Sequence, residues 1–292
     1  MDFITRLTEA SVLVADGAMG TMLQEAGLPP GIPGEAWLLE RPQAIADVHR
    51  AYVEAGSDLI LSCTFGGTRP RLAHAGLSDR VAEVNRRGVE VAREAAAGRA
   101  YVAGDIGPLG ELLAPLGQRT YDEAVDLFAE QAAALVEAGA DLLYIETMTS
   151  MEEAQAAVEA AQRVAPDAPL TVTLSFDTNG RTNMGVRPED AARALVELGV
   201  TAFGANCGHS LEMTEGAVRK MREVAPHALL IVKPNAGMPR LVEDEVVYDA
   251  TPEAMADFAR RFVDLGARIV GGCCGSRPKH IAAIARVVGN PR

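Results

Sequence analysis

Three cysteines carry the strongest chemical signal in this sequence. Cys273 and Cys274 are adjacent, set in Gly271-Gly272-Cys273-Cys274-Gly275 after the apolar run Ala267 to Val270. Cys207 ends another such run in Gly204-Ala205-Asn206-Cys207-Gly208. The flanking glycines let the backbone turn tightly enough for neighbouring side chains to face one ion. Zinc takes thiolates in tetrahedral geometry, and a catalytic zinc keeps three protein ligands and one exchangeable position. Cys207, Cys273 and Cys274 are therefore candidate ligands for Zn2+, with the fourth position left for a substrate. Two other readings attach to the same residues: Cys207 as a buried core thiol, and the pair as inert or joined in a vicinal disulfide. Cys63 also ends an apolar run and reads as a packing or pocket residue. A closed four-thiolate site or an iron–sulfur cluster would include it, but cluster cysteines are tightly spaced in sequence and these are dispersed. Asn206, beside Cys207, and Asn235, after Pro234, are amides that can donate to a zinc-bound sulfur or fill an open coordination position. Asn235 suits a loop cap equally well. His209 reads as an exposed histidine at a helix start.

The elements that must position these residues alternate along the whole chain. Short apolar, β-branched runs are separated by longer segments of helical period. The strand candidates are Val12 to Ala15, Leu59 to Ser62, Tyr101 to Gly104, Leu142 to Ile145, Leu170 to Ser175, Ala202 to Ala205, Leu229 to Lys233 and Arg268 to Gly271. Eight is the number a closed parallel barrel needs, so a single (β/α)8 TIM barrel is expected, as one domain over residues 1–292. A doubly wound open sheet shares the alternation. The polar residues separate the two: Asp16, Cys63-Thr64, Asp105, Glu146, Asp177, Asn206-Cys207, Asn235 and Cys273-Cys274 each lie just past a predicted strand. A barrel brings all of these points to one face, where an open sheet scatters several. Thr120 with Glu123 and Ser150 with Glu153 have capping-box spacing. Thr251-Pro252 places a cap before a first-turn proline, and Met255, Phe258, Ala259 and Phe262 follow as the apolar stripe of a helix packed on a sheet.

Composition narrows the class of partner. The chain has 292 residues, 48% hydrophobic and 23% charged, ordinary for a globular protein with a sizeable core. Its formal net charge of −13 opposes binding to nucleic acid or to an anionic membrane. No stretch approaches the roughly 18 apolar residues of a membrane helix, and the N-terminus lacks a basic region followed by an apolar signal core, so a cytoplasmic location is expected. In such a chain four cysteines are metal ligands, reactive thiols or core residues rather than disulfides. The Pro/Gly-rich stretch Gly27 to Gly34 reads as a loop rather than a linker.

Six segments in order resemble one family. They are Asp16-Gly17-Ala18-Met19-Gly20-Thr21, Thr64-Phe65-Gly66-Gly67, Gly104-Asp105-Ile106-Gly107-Pro108, Glu146-Thr147-Met148, Asn206-Cys207-Gly208 and Gly271-Gly272-Cys273-Cys274-Gly275. Together, and across nearly the entire chain, they are similar to the homocysteine S-methyltransferases. That family includes betaine–homocysteine and S-methylmethionine–homocysteine methyltransferases and the N-terminal module of cobalamin-dependent methionine synthase. Any one motif is weak; six in sequence are specific. The resemblance implies a (β/α)8 barrel with zinc on Cys207, Cys273 and Cys274, the homocysteine thiol as fourth ligand, and methyl transfer to that sulfur giving methionine. The chemistry needs the metal because a thiol of pKa near 8.5 is mostly protonated at neutral pH while the thiolate is the nucleophile. It further implies that Glu146 receives the substrate ammonium, and that Asp16 with the backbone amides around Gly17, Ala18 and Met19 fixes the carboxylate end and the loop geometry. Thr64 and Phe65 match the family's substrate-pocket segment, or equally pack the second loop. Trp37 lies in a stretch resembling the donor-side loop, where an aromatic face can hold an onium cation, or can equally pack before the next helix.

The methyl donor stays open between betaine, S-methylmethionine, and methylcobalamin or a methyl-folate supplied through a corrinoid- or folate-binding partner. Gly66 stands where animal betaine enzymes carry an aromatic residue, and the chain ends soon after Cys274, without their long arm or the folate and cobalamin modules of methionine synthase. Pro234-Asn235-Ala236-Gly237 and Tyr248-Asp249-Ala250-Thr251-Pro252 resemble the methionine synthase module. Two rival readings are a non-catalytic thiolate metal-binding or redox-sensing barrel, and a methyltransferase acting on another thiol or a selenol.

Overall fold

The structure is a computed structural model that describes residues 1–9, 11–177, 179–242 and 245–288; positions 289–292, at the end of the expected span, lie outside it. Its strands are β1 (Leu13–Val14), β2 (Leu59–Leu61), β3 (Tyr101–Ile106), β4 (Leu142–Met148), β5 (Leu170–Leu174), β6 (Ala202–Cys207), β7 (Leu230–Pro234), β8 (Pro239–Val242), β9 (Glu245–Tyr248) and β10 (Ala267–Val270). Eight of them form one sheet in the order β1-β10-β7-β6-β5-β4-β3-β2, all pairs parallel. The Ala15–Leu59 bridge, reinforced by the Asp16 N–H on the Leu59 carbonyl at 3.0 Å, joins β1 back to β2. The sheet therefore closes, with helices between its strands, as a (β/α)8 TIM barrel.

All eight predicted strands form, and four of them, β3, β4, β6 and β7, run further than expected. Asp105 pairs with Tyr144, Asn206 with Lys233 and Cys207 with Pro234, so these residues are the last rungs of strands rather than the first residues of loops. Between Ile145 and Met148 β4 carries an irregularity that places three steps of β4 against two of β5. Such a bulge bends a strand and re-aims its side chains, and Glu146 lies in it. The antiparallel β8–β9 hairpin was not anticipated; the β-branched Val246-Val247 before Tyr248 is the signal for it.

Two apolar clusters hold the barrel together. One fills its interior with Leu13, Ala15, Leu59, Leu61, Ala103, Leu142, Tyr144, Ala202, Ile231 and Ile269. Phe3 and Leu7, from the helix Phe3–Thr8, complete it at the end where the strands begin. There the Phe3 ring meets Tyr101 edge-on at 5.6 Å, and Arg268 donates to the Leu7 carbonyl. The other cluster lies between sheet and helices. Strand side chains alternate faces, so two-residue steps from the interior set continue inward: Ala103 to Asp105, Leu142 to Tyr144 to Glu146, Ala202 to Asn206, and Ile231 to Lys233. The same periodicity that builds the apolar plug thus delivers a polar layer at the C-terminal mouth.

Thr120 and Glu123 form a full capping box, and Thr251 caps the helix Pro252–Asp264 through the Ala254 N–H. The box expected at Ser150 is only half formed. Ser150 accepts from the Glu153 N–H, but the buried Glu153 carboxylate accepts instead from the Leu109 N–H at 2.8 Å, tying this helix to the loop after β3. Among the described residues no helix is long and apolar enough to cross a membrane.

His49, in the helix Pro42–Glu54, is fully buried and neither ring nitrogen has a hydrogen-bond partner. Burial pushes its pKa down to about 4. The unfolded chain takes up the proton near pH 6.5, so stability is full above that pH and falls as pH drops from about 6.5 towards 4, by at most about 3 kcal/mol. Urea titrations across this window should show a flatter acid limb for His49→Leu than for the unsubstituted protein.

Candidate metal and substrate site

Lys233 and Asp16 meet at the barrel mouth, each almost wholly buried, with Nζ 2.8 Å from Oδ1. The other carboxylate oxygen of Asp16 accepts from the Leu61 N–H at 2.8 Å, and its carbonyl accepts from the Gly272 N–H at 3.0 Å. One residue at the end of β1 thus ties the β2 seam to the loop that carries Cys273. Burial by itself would strip the proton from Lys233, but Asp16, Glu146 and Tyr144 around it raise its pKa, and it stays an ammonium. Sequence analysis had not singled out Lys233. The available signal was a lone lysine ending the otherwise apolar strand run Leu229 to Lys233, in register with the inward face.

Cys207, Cys273 and Cys274 come together as expected, their sulfur atoms all within 4.8 Å of one another and the Cys207–Cys273 pair at 2.9 Å. A tetrahedral zinc–sulfur centre with bonds of about 2.3 Å has sulfur–sulfur edges of about 3.8 Å, so this set is of the size to hold a metal ion. Crowded thiols cannot all ionise without a cation. Hydrogen bonds from Cys207 and Cys273 hold the Cys274 thiol low, at about 3, while Cys207 is pushed well up by the same contacts and by burial. A divalent cation among them would favour three thiolates at once. Cys63 stands apart from the cluster, buried in the cleft wall with its pKa raised by burial and by Glu35 and Asp105 nearby. His209 is exposed and bonded to the Asp177 carbonyl.

The backbone that delivers the thiols is tightly constrained. Cys207 sits in the left-handed region at φ 56°, and Thr147, beside Glu146, at φ 61°. Each costs about 1–2 kcal/mol, and the β-branched Thr147 is the less usual occupant. One side chain fastens both turns: Asn206 Oδ1 accepts from the Thr147 N–H at 2.9 Å, and its Nδ2 lies 2.6 Å from Thr147 Oγ1, 3.3 Å from Glu146 Oε2, and 3.8 and 3.9 Å from the sulfurs of Cys207 and Cys273. The Cys273 N–H donates to the Pro234 carbonyl, and the Ala236 N–H to the Cys274 carbonyl. Gly275 has φ 75°, and a Cβ there would lie 2.0 Å from the ring of Tyr248, whose hydroxyl is hydrogen-bonded to Cys274. Only glycine fits between them.

The thiols open onto a cleft of about 410 Å3 whose walls include Asp16, Glu35, Asp105, Glu146 and Lys233. Burial pushes Glu146 up to about 8, with Lys233 pulling it back. Asp105 is raised well above the usual carboxylate range by burial and by Glu146, and its Oδ1 is buried with no hydrogen-bond partner. It lines the cleft, and its place at a strand end within Gly104-Asp105-Ile106-Gly107-Pro108 had marked it without giving it a role. Gly17, Ala18 and Met19 line the cleft; the Ala18 N–H is spent on Ser276, leaving those of Gly17 and Met19 without partners among the described residues. Phe65 lines the cleft and Thr64 does not: the Thr64 hydroxyl is fully buried on Ser62 and on the Asp105 carbonyl. Trp37 is also away from the cleft, packed in the core with the Arg41 guanidinium 4.2 Å above its ring. A cation already covers the face that an onium donor would need. Space above Gly66 is taken by the Glu35 carboxylate, which accepts the Gly66 N–H. Asn235 donates to the Gly208 carbonyl at 2.8 Å, and its own amide oxygen is buried without a partner.

Removing one partner of a buried ion pair leaves an uncompensated charge. Lys233→Met should therefore lower unfolding free energy by about 3–5 kcal/mol in urea titrations, while the double variant Lys233→Met/Asp16→Asn should recover part of it.

Residues 13–288 match the model of the family described as homocysteine S-methyltransferase. The chain is 34% identical over 297 residues to the methionine synthase of Mycobacterium leprae (strain TN) and 33% identical over 299 residues to that of Mycobacterium tuberculosis, covering 95% and 96% of this chain. It spans only 24% and 25% of those proteins. Among solved structures, the metallated form of the homocysteine methyltransferase MmuM from Escherichia coli superposes with a TM-score of 0.81 at 28% identity, over 97% of this chain and 98% of that one. A methyltransferase from Methanosarcina mazei, at 13% identity and a TM-score of 0.62, shares the fold. The chain belongs to the homocysteine S-methyltransferase family.

Proposed function

We propose that this chain transfers a methyl group to the thiol of L-homocysteine, giving L-methionine, with zinc held by Cys207, Cys273 and Cys274. The observation that carries this reading is the convergence of three thiols on a cleft whose other walls suit an amino acid. Zinc is the metal this donor set fits, since it binds thiolates tetrahedrally and leaves one position to exchange. Bound there, it would take the proton off the substrate thiol and supply a thiolate at neutral pH. Asn235, with its buried unpartnered amide oxygen, suits the fourth position until the substrate sulfur takes it. The Asn206 amide, within reach of two cysteine sulfurs, tempers their charge and holds the Cys207 turn.

The chain's own residues then orient the substrate. Glu146 and Asp105 lie near each other on the adjacent strands β4 and β3 and suit an ammonium between them, which would supply Asp105 Oδ1 with the partner it lacks. The free N–H groups of Gly17 and Met19, at the start of the helix Met19–Glu25, suit the carboxylate. Asp16 lines the cleft with its carboxylate already bonded to Lys233 and to the Leu61 amide, and acts there on loop geometry. The sulfur attacks the methyl carbon in line, a bond forms between them, and the donor leaves with the electron pair of its former bond.

Two donor routes fit: a small onium compound, or methylcobalamin or a methyl-folate presented by a corrinoid- or folate-binding partner. The second is favoured by the methionine synthases of which this chain matches one part, and the first by its match to nearly all of MmuM. A closed four-sulfur centre is disfavoured by the separation of Cys63 from the other three thiols.

The protein should bind about one zinc per chain, and Cys207→Ala or Cys273→Ala should lose both zinc and activity. Zinc K-edge absorption should gain a sulfur neighbour when homocysteine is added; full methyl transfer by metal-free protein would refute the mechanism. Asp105→Asn and Glu146→Gln should each raise the KM for homocysteine by about tenfold to a hundredfold, the worth of a charge-assisted hydrogen bond, with zinc content unchanged. An unchanged KM in either variant would remove that residue from the ammonium site.

A further inference from the structure

Of the two cations in the cleft wall, Arg71 is the one that makes no ion pair among the described residues, although its charge acts on the buried Glu35 carboxylate in the same wall. The other, Lys233, is bound to Asp16. Neighbouring Arg69 is fully engaged by Glu130, Asp79 and the Ser78 carbonyl, whereas Arg71 makes no ion pair or hydrogen bond among the described residues. Its guanidinium lies 5.8 Å from the centroid of the Phe65 ring.

Both parts are held in place. The Phe65 ring lies against Gly107, where a Cβ would come within 2.5 Å of it. The Arg71 stem runs over Gly110, whose φ of 80° favours glycine and where a Cβ would stand 3.0 Å from Arg71 Cδ and Nη1. Arg71 is half-buried while Glu35, deeper in the same wall, is buried. A partly desolvated guanidinium with its hydrogen-bond donors unspent is a ready partner for a carboxylate or phosphate.

Its place around the barrel says which molecule would bring that anion. Phe65 and Arg71 follow β2, and in the closed eight-strand order β2 stands four strands from β6 in either direction. They are therefore across the mouth from Cys207. In-line displacement puts the leaving group on the side of the methyl carbon away from the attacking sulfur. The thiols follow β6 and β10 and so occupy the arc β6-β7-β10, and the body of the donor extends towards the opposite arc, β4-β3-β2.

We infer that Arg71, laid on the ring of Phe65, is an anion subsite for the methyl donor, holding a carboxylate or phosphate carried by the molecule that delivers the methyl group. The inference rests on the methyl-transfer reading above and adds a donor requirement to it. A small onium amino acid and a corrinoid with a phosphodiester arm share this chemistry, and paired donors tell them apart.

The test is steady-state kinetics of the zinc-loaded protein and its Arg71→Gln and Arg71→Lys variants at saturating homocysteine. The donors are S-methylmethionine against trimethylsulfonium, which has no carboxylate, and methylcobalamin against methylcobinamide, which lacks the phosphodiester. Arg71→Gln should raise the KM of the anionic donor that the protein uses by about tenfold or more. Its anion-free counterpart, the KM for homocysteine and the zinc content should stay within twofold. Arg71→Lys, keeping the charge without the fork, should fall between. An unchanged KM for the anionic donor, or an equal change for both members of a pair, overturns the subsite while leaving homocysteine methylation intact. No methionine from the unsubstituted protein with any of the four donors overturns the subsite, and none with betaine or with a methyl-folate and its corrinoid carrier as well overturns the methyl-transfer reading.

Discussion

The buried Lys233–Asp16 pair is the interaction on which the mouth of this barrel depends. Four carboxylates, Asp16, Glu35, Asp105 and Glu146, face a cleft that also holds three thiols, and only Lys233 sits among them as a committed cation. Without it the inner layer would concentrate negative charge in a low-dielectric space, where burial and like charge both oppose ionisation. The pair is also mechanical. Asp16 spends its second oxygen on Leu61 and its carbonyl on Gly272, so the strand seam, the ion pair and the approach to Cys273 are one connected unit.

A second constraint follows from making three thiols meet. Cys207 reaches the pair on β10 only by a left-handed turn at the end of β6, and Glu146 reaches the cleft only through a bulge followed by a left-handed Thr147. Asn206 is bonded at both places, so the cost of each turn is offset by the same amide. Strain collected at a site, and fastened by one polar side chain with its hydrogen bonds satisfied, is the expected signature of a geometry that has to be held before a ligand arrives. The remaining freedom lies in the oxygens of Asp105 and Asn235 that have no partner, which are the groups suited to meeting something from outside.

Much of this was legible in the chain. The eight apolar runs, the glycine-flanked cysteines and the strand-end acids gave the barrel and the metal-binding set, because period-two burial and turn chemistry are local properties. What was left open is equally instructive. Of the two readings open for Trp37 and Thr64, pocket or packing, the structure takes packing: Trp37 lies in the core under Arg41, and Thr64 supports the backbone of Asp105. In both cases the residue type was right for the role, and a neighbour far along the chain or on the next turn had already claimed it. Lys233 shows the reverse: a charged residue inside an apolar strand is costly unless paired, and the pairing partner lies 217 positions away.

By itself, then, the sequence determined which residues point inward at the ends of which strands, since alternation along a strand depends only on near neighbours. It also determined the kinds of group available there: soft sulfur ligands, acids and amides. Only the tertiary structure decided which of these were free. Closing the sheet brought Asp16 to Lys233 and committed each to the other, set Asn206 across two strained turns, left Cys63 outside the thiol cluster, and, among the described residues, left Asp105 Oδ1 without a hydrogen bond and Arg71 without an ion pair. The reason is that a hydrogen bond or ion pair is made by whatever arrives within about 3 Å, and in a barrel that distance is fixed by closure of the whole sheet rather than by any one segment.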